Sequence, residues 1–400
     1  MTRQQRSILL VAMVSQGVVV GLTLGILPVF LEPLEAAFDA PRTAIAGGQI
    51  LIMVSLTAAS LVTGAALDKG HARGVMLSGV GLMVSAMVLA AFASNLFVLA
   101  LAALLAGAAV PPCGPITAAS LVTRNFEAER GRALGLASMG PPLGSGLFAA
   151  LAGWLLARFA WNEVFLVFAA IAAGILLPLI TAIVPARYVT QADEAAVEVN
   201  MRAVVRSPTF LWAGGLFALA TGIVTGWTVH TAAYVAASGF SEAGASQVLA
   251  VQFWMGVPGA VLFGVLADRF SLSTLFVVML GTTAACYAGF ATEPGTTWVA
   301  VLCTVVGFAS SGMIPLYMVL LGRRLGPDAM GRAMGLSNLL MLPVMAGVVL
   351  VAAAIFESTG HYQAPLALFS VGLLASIGFL VGSNRDAARR AAIAPEAVEA

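Results

Sequence analysis

The chain runs for twenty residues or more at a time with almost no charge, and it does so again and again. A helix needs about 20 apolar residues to cross the hydrocarbon of a bilayer. Backbone polar groups in lipid must be paired within the segment itself, so runs of this length and number are spanning helices. Twelve follow from the pattern, over 7–31, 43–67, 74–93, 96–123, 131–158, 163–184, 208–237, 243–267, 272–291, 297–322, 331–356 and 363–382. Composition closes off the soluble alternative. Only 9% of the 400 residues are charged, whereas a soluble domain carries about 25%.

Most connections are short. The one polar linker of any size covers 185–207 and separates six spans from six. The expected organisation is an all-α membrane protein of two six-helix bundles, 1–184 and 208–383, with a polar tail over 384–400. Basic residues stay on the cytoplasmic side of a membrane. Of the nineteen, all but Arg42 and Arg158 fall on one side of this map, the side that holds both termini. A missed span would invert every later loop and destroy that bias. Both termini are therefore expected in the cytoplasm, with the chain multi-pass in the inner (plasma) membrane. The first apolar run is too long for the core of a cleaved signal and reads as the first span.

The three cysteines, Cys113, Cys286 and Cys303, sit inside apolar runs and form no CxxC. That argues against a disulfide framework or a metal site. No HExxH or GxSxG occurs, so an intramembrane enzyme is not expected. The expectation is no cofactor, no metal and no nucleic acid, with the lipid bilayer and a small molecule as partners of a monomer.

The charge that remains is concentrated. "GAALDKGHARG", from Gly64 to Gly74, places Asp68, Lys69, His71 and Arg73 between two spans, and "GVLADRF" at Gly264 echoes it. Gly64 pairs with Gly264, Asp68 with Asp268 and Lys69 with Arg269. "GRALGL" at Gly131 returns as "GRAMGL" at Gly331, and Pro115 as Pro315. Every match is displaced by the same 200 residues, so the halves are duplicated copies.

Twelve spans in duplicated halves, G-x-x-x-D-[KR] in the 2–3 and 8–9 turns, and R-G-R-A-x-G opening helix 5 resemble the major facilitator superfamily. The resemblance covers about residues 5–385. It implies parallel halves related by an axis along the membrane normal, with the substrate site near the bilayer midplane. It also implies that the 2–3 turn lies near the start of helix 11 and the 8–9 turn near the start of helix 5. There Asp68 and Asp268 would meet positive helix ends. Lys69, Arg73, Arg130, Arg269 and Arg332 would add ion pairs to a latch, and Gly64 and Gly264 would let backbones come close.

Proline and glycine mark where spans bend or touch. Pro111, Pro112 and Pro115 in helix 4, Pro141 and Pro142 in helix 5, Pro315 in helix 10 and Pro343 in helix 11 are expected helix breaks or gating points. Gly17, Gly21 and Gly25 form one small-residue face of helix 1. Gly131 and Gly135, with Gly140 and Gly144, form another in helix 5, and Gly222 and Gly226 a third in helix 7. Polar residues at mid-depth are the expected substrate lining: Gln16 and Thr23 on one face of helix 1; Trp227, His230 and Tyr234 on one face of helix 7; then Gln252, Tyr317 and Asn338.

The N-terminal half resembles the monocarboxylate-porter-like branch in "LPVFLEPLEAAF", "GLASMGPPLG" and "WNEVFL". That resemblance implies a lactate-like acid moved with a proton. The branch commonly carries a lysine near the end of helix 1 and an Asp/Arg pair in helix 8. Here Leu31 stands where that lysine is sought, and "VQFWMGVPGAVLFG" has neither Asp nor Arg. The reading is a secondary transporter of a small organic solute, a monocarboxylate or similar acid, working by alternating access. Coupling would run through His230 or through a protonatable substrate. Export of neutral or lipophilic compounds, or a non-transporting sensor on the same fold, stays open. Asp68→Asn is expected to slow transport in proteoliposomes with little change in substrate affinity; unchanged turnover would rule out the latch.

Overall fold

The computed structural model describes residues 1–68, 71–126, 130–186, 206–267, 269–325 and 327–393. These are helical throughout, with no strand among the described residues. Twelve helices are long and apolar enough to cross a membrane: α1 Arg3–Phe38, α2 Arg42–Gly64, α3 Ala72–Ala91, α4 Leu96–Val122, α5 Gly135–Leu156, α6 Trp161–Ile183, α7 Pro208–Ala237, α8 Glu242–Leu266, α9 Leu272–Phe290, α10 Thr296–Leu321, α11 Leu336–Thr359 and α12 Gln363–Arg389. Large apolar side chains stand on their outer faces, among them Phe97 at 79% exposure and Trp298 at 64%. That is the surface a helix presents to lipid rather than water.

Helix ends follow local chemistry. Thr2 and Gln5 form a capping box ahead of α1. Asn95 accepts from the Val98 N–H at the start of α4, and Ser271 from the Thr274 N–H at the start of α9. Each satisfies a donor the helix leaves unpaired. Asp39 ends α1 in the left-handed region at φ 46°, where a short polar side chain is tolerated.

Five helices are interrupted, α2 among them at Gly47, between Arg42–Ala46 and the helix that starts at Gly48. A π-helical turn over Gly21–Gly25 divides α1. α4 breaks at Gly114, just before Pro115. α5 breaks at Ser138–Met139, before Pro141 and Pro142. α10 breaks at Ser311–Gly312, before Pro315. Pro111 and Pro112 lie inside the helix Leu96–Cys113. The Thr117 hydroxyl donates to the Pro111 carbonyl at 3.0 Å, so protein rather than a cavity satisfies that oxygen. Pro343 corrects the sequence expectation. The helix Pro327–Thr359 passes through it without a break. One missing N–H is tolerated there because the following turn is held from outside: Val344, Met345 and Val348 pack on Gly222 and Gly226 of α7.

Close contacts divide the chain into unit 1, Met1–Glu194 with Val229–Trp254, and unit 2, Ala195–Thr228 with Met255–Ala400. The division falls within α7 and again within α8. In unit 1, α1 lies directly on α5. A Cβ at Gly21 would stand 2.7 Å from the Gly144 carbonyl oxygen, one at Gly25 2.7 Å from Ser145 Cα, and one at Gly144 2.5 Å from Gly17 Cα. Hydrophobicity does not drive helices together in lipid, so small residues that allow backbone contact hold this pair. The same device seats the second half of α7 and the first half of α8 on α5. Ala149, Ala232 and Leu249 form one core with Val29 and Phe253. The Trp254 indole N–H donates to the Leu143 carbonyl at 3.2 Å beside Gly146. Gly135 takes no part, since a Cβ there would meet nothing within 4 Å.

Gly144→Val is expected to lower thermal stability by about 1–3 kcal/mol through overpacking against Gly17. Gly81→Ala, where a Cβ meets nothing within 4 Å, is the control and should leave the melting temperature level or slightly raised. Equal melting of both variants would remove the α1–α5 contact as the determinant.

Candidate functional site

The interruptions in α1 and α10 position the polar groups of the spans. Seven residues separate Gln16 from Thr23, two full α-helical turns, so an unbroken helix would put both on one face. The π turn adds a residue to its ring and parts them. Gln16 is buried with its amide donating to the Ala12 carbonyl at 3.0 Å and across to the Ala137 carbonyl of the α5 segment at 3.1 Å. It ties α1 to α5. Thr23 turns toward a cavity among α2, α3 and α4, its hydroxyl donating to the Val19 carbonyl at 2.7 Å. The expectation of a shared face is corrected.

On α7, Trp227 packs edge-on against Tyr362 at 5.2 Å between ring centroids, with Tyr287 and Phe369 near it, in the aromatic core of unit 2. His230 and Tyr234 follow on the stretch that belongs to unit 1, and both are buried. Gln252 is buried in the same unit. In unit 2 the Tyr317 ring stacks on Phe217 at 4.5 Å, and its hydroxyl shares a 2.5 Å hydrogen bond with Ser337. Asn338 is half-buried beside it in sequence.

A second cavity, of about 160 Å³, opens in unit 2 against the break in α10. Sequence reasoning passed over its polar lining: Thr221 and Thr225 of α7, Thr283 of α9, and Ser310 and Ser311 at the break itself. Their signal was present, as threonines four apart on one helix face and a Ser-Ser-Gly ahead of a proline. Three hydroxyls already spend their hydrogens on their own helices. Thr283 donates to Met279 at 2.8 Å, Ser310 to Val306 at 2.7 Å and Ser311 to Phe308 at 2.8 Å. Their oxygens remain acceptors. The Thr221 hydroxyl is buried with no hydrogen-bond partner. The cavity wall holds no charged side chain. The arrangement suits a neutral molecule that can accept one hydrogen bond and donate another. An isolated ion would lose its hydration there for almost nothing.

The expected latch is only partly in view. The side chains of Asp68, Arg130 and Arg332, and residues Lys69 and Asp268 altogether, lie outside the described residues. Arg73 is half-buried and Arg269 exposed. Among the described residues the paired glycines make no close backbone approach. A Cβ at Gly64 would meet nothing within 4 Å, and one at Gly264 only Pro315 Cβ at 4.0 Å, ordinary contact. The two arginines set apart by the charge map are each accounted for locally. Arg42 makes a two-point ion pair with Glu35, Nε to Oε1 at 2.5 Å and Nη2 to Oε2 at 2.9 Å. Arg158 lies 4.3 Å over the Trp154 ring and donates to the Trp154 carbonyl.

Leaving a buried hydroxyl unpaired costs on the order of 1 kcal/mol or more. Thr221→Val is therefore expected to raise the melting temperature of the ligand-free protein, and a drop would mean that hydroxyl already has a partner.

Comparison with known proteins agrees with this helical plan. Monocarboxylate transporter 13 of Bos taurus is 26% identical over 362 residues, 88% of this chain and 83% of that protein. The Rattus norvegicus counterpart is 27% identical over 318 residues, 77% of this chain and 72% of that protein. A D-xylose-proton symporter superposes with a TM-score of 0.77 at 15% identity, covering 94% of this chain and 97% of that one. A bacterial homolog of the human lysosomal transporter Spinster, inward-facing and unoccupied, gives 0.73 at 15% identity over 96% of both chains. The model of the Major Facilitator Superfamily matches residues 13–347, and with twelve spans in the order described the chain belongs to that superfamily of transporters.

Proposed function

We propose that the chain carries a small monocarboxylic acid across the plasma membrane by alternating access, and that the acid is bound as the neutral, protonated molecule. The observation that carries this is the uncharged, hydroxyl-lined cavity at the break of α10. A protonated carboxyl group is its chemical complement. The acid O–H donates to one of the acceptor oxygens of Thr283, Ser310 or Ser311, and the acid C=O accepts from the unpaired Thr221 hydroxyl. A carboxylate would meet one donor and no cation. The named relatives support the substrate class, and the missing lysine and Asp/Arg pair support the neutral form over the anion. The proton travels on the substrate, taken from water on the entry side and released on the other. No carboxylate within a span is then needed for coupling. Gln16, Trp227, His230, Tyr234, Gln252, Tyr317 and Asn338 are assigned to holding helices together around the path, and the paired Asp68 and Asp268 turns to latching the cytoplasmic end.

The test is uptake of labelled short monocarboxylates into proteoliposomes across external pH. A carboxylic acid has a pKa near about 4, so above it the protonated fraction falls about tenfold for each pH unit gained. The initial rate at low substrate should climb as external pH falls, and Thr221→Val should lower it. The amide of the same acid should compete, and a permanently charged sulfonate of the same shape should not. Uptake that ignores pH, or a sulfonate carried as well as the acid, would overturn the neutral form. No uptake of acids, with transport of neutral lipophiles instead, would replace the reading with the exporter.

A further inference from the structure

A larger cavity is unlike the hydroxyl-lined one. It lies within unit 1, holds about 240 Å³, and is walled by α1, α2, α3, α4 and α6. Leu22, Ile26 and Phe30 of α1 face it, and Phe165 of α6 closes one side. The space exists because small residues stand where larger ones would meet: Ala86 and Ala90 on α3, Ala102 and Ala106 on α4, all buried. Thr23 is the sole polar side chain in the wall, and its hydrogen is committed to Val19. A trapped water needs two to four polar partners, and this wall does not supply them. A dry cavity of roughly 150 Å³ lined by such side chains is enough to hold benzene. The mouth lies at the first turn of α4 and the start of α2, where Ala44 and Leu96 are exposed and Gly48 and Ala100 half-exposed. The ion pair of Arg42 with Glu35 sits next to Ala44 and Leu34 of that rim.

We propose that this cavity is a binding site for a hydrocarbon chain, supplied as an acyl chain by a phospholipid of the surrounding bilayer. The wall is apolar at a depth where the neighbouring solvent is itself hydrocarbon, and the mouth lies at helix ends, where a headgroup remains in water while its chain enters. Occupancy acts on α1. The π turn presents Leu22 and Ile26 to the cavity, while Gly21 and Gly25 of the same turns touch Gly144 and Ser145 of α5. A chain in the cavity supports the turn from the side opposite α5.

Photolabelling tests this with the full chain in phosphatidylcholine nanodiscs containing a phosphatidylcholine with a diazirine near the end of one acyl chain. After irradiation, mass spectrometry maps the adducts. The expected result is labelling at Ala86, Met87 and Ala90, which are at most 4% exposed and out of reach of lipid lying against the outer surface. Ala102→Phe should reduce that labelling at least several-fold and leave adducts at the outward-facing Phe97 and Leu101 unchanged. Ala106→Leu is the milder filling variant should the first fail to fold, and the wild-type map needs neither. Adducts confined to Phe97, Leu101 and other outer residues would overturn the site, as would interior labelling that both filling variants leave intact. A diazirine-bearing alkylbenzene gives the second arm: interior labelling by it and none by the lipid probe would overturn the lipid as the source.

Discussion

Two apolar helices gain nothing from touching in a solvent that is itself apolar, so α1 and α5 stay together by backbone proximity. Gly17, Gly21 and Gly25 meet Gly140, Gly144 and Ser145 at distances no side chain would permit. Much else in unit 1 depends on this contact. Gln16 can span to the Ala137 carbonyl only because the helices are that close. The π turn then frees the opposite face of α1, and Leu22, Thr23 and Ile26 become a cavity wall rather than part of a packed seam. Gly146 and Gly153 extend the same logic along α5, admitting Trp254 and Ser246 of α8.

Length and charge made the plan of the protein legible. All twelve spans appear, most with ends within a few residues of those the apolar runs mark, because a bilayer imposes one length on every helix. Local detail was less legible. Periodicity assumes an even helix, and a π turn is invisible to it, so Gln16 and Thr23 were placed on one face. Proline signals a break without fixing where it falls. Gly114 carries the break ahead of Pro115, Ser311–Gly312 that ahead of Pro315, and Pro343 has none. The hydroxyl cavity was missed because threonine and serine in an apolar span read as residues bonded to their own helix. Most of them are.

The duplication explains where the halves diverge. At positions 200 apart, Pro112 matches Gly312, Cys113 matches Met313 and Gly79 matches Met279. In unit 1 this point is filled. A Cβ at Gly79 would stand 2.7 Å from Pro112 Cβ, and the Cys113 thiol donates to the Met76 carbonyl at 3.2 Å. In unit 2 a Cβ at Gly312 would instead stand 2.5 Å from the Phe263 ring, the bend is one residue wider, and Met279 lines an open cavity with Ser310, Ser311 and Met313. One ancestral bend has become a packed joint in one copy and an open cavity in the other.

Which polar groups in the spans await a ligand is then a question of what each already binds. Thr57, Ser60, Thr228, Thr283, Thr304 and Ser310 all donate to the carbonyl four residues back. Such a group is satisfied whether or not a solute arrives. Among the described residues three buried side-chain oxygens have no partner, those of Thr221, Tyr287 and Ser383. Tyr287 stands within the aromatic core around Trp227, and Ser383 lies far along α12. Thr221 alone of the three borders the hydroxyl cavity. A buried donor beside several acceptors, in a wall without charge, is better satisfied by a neutral molecule that answers both than by an ion, and that is the physical ground for proposing the protonated acid.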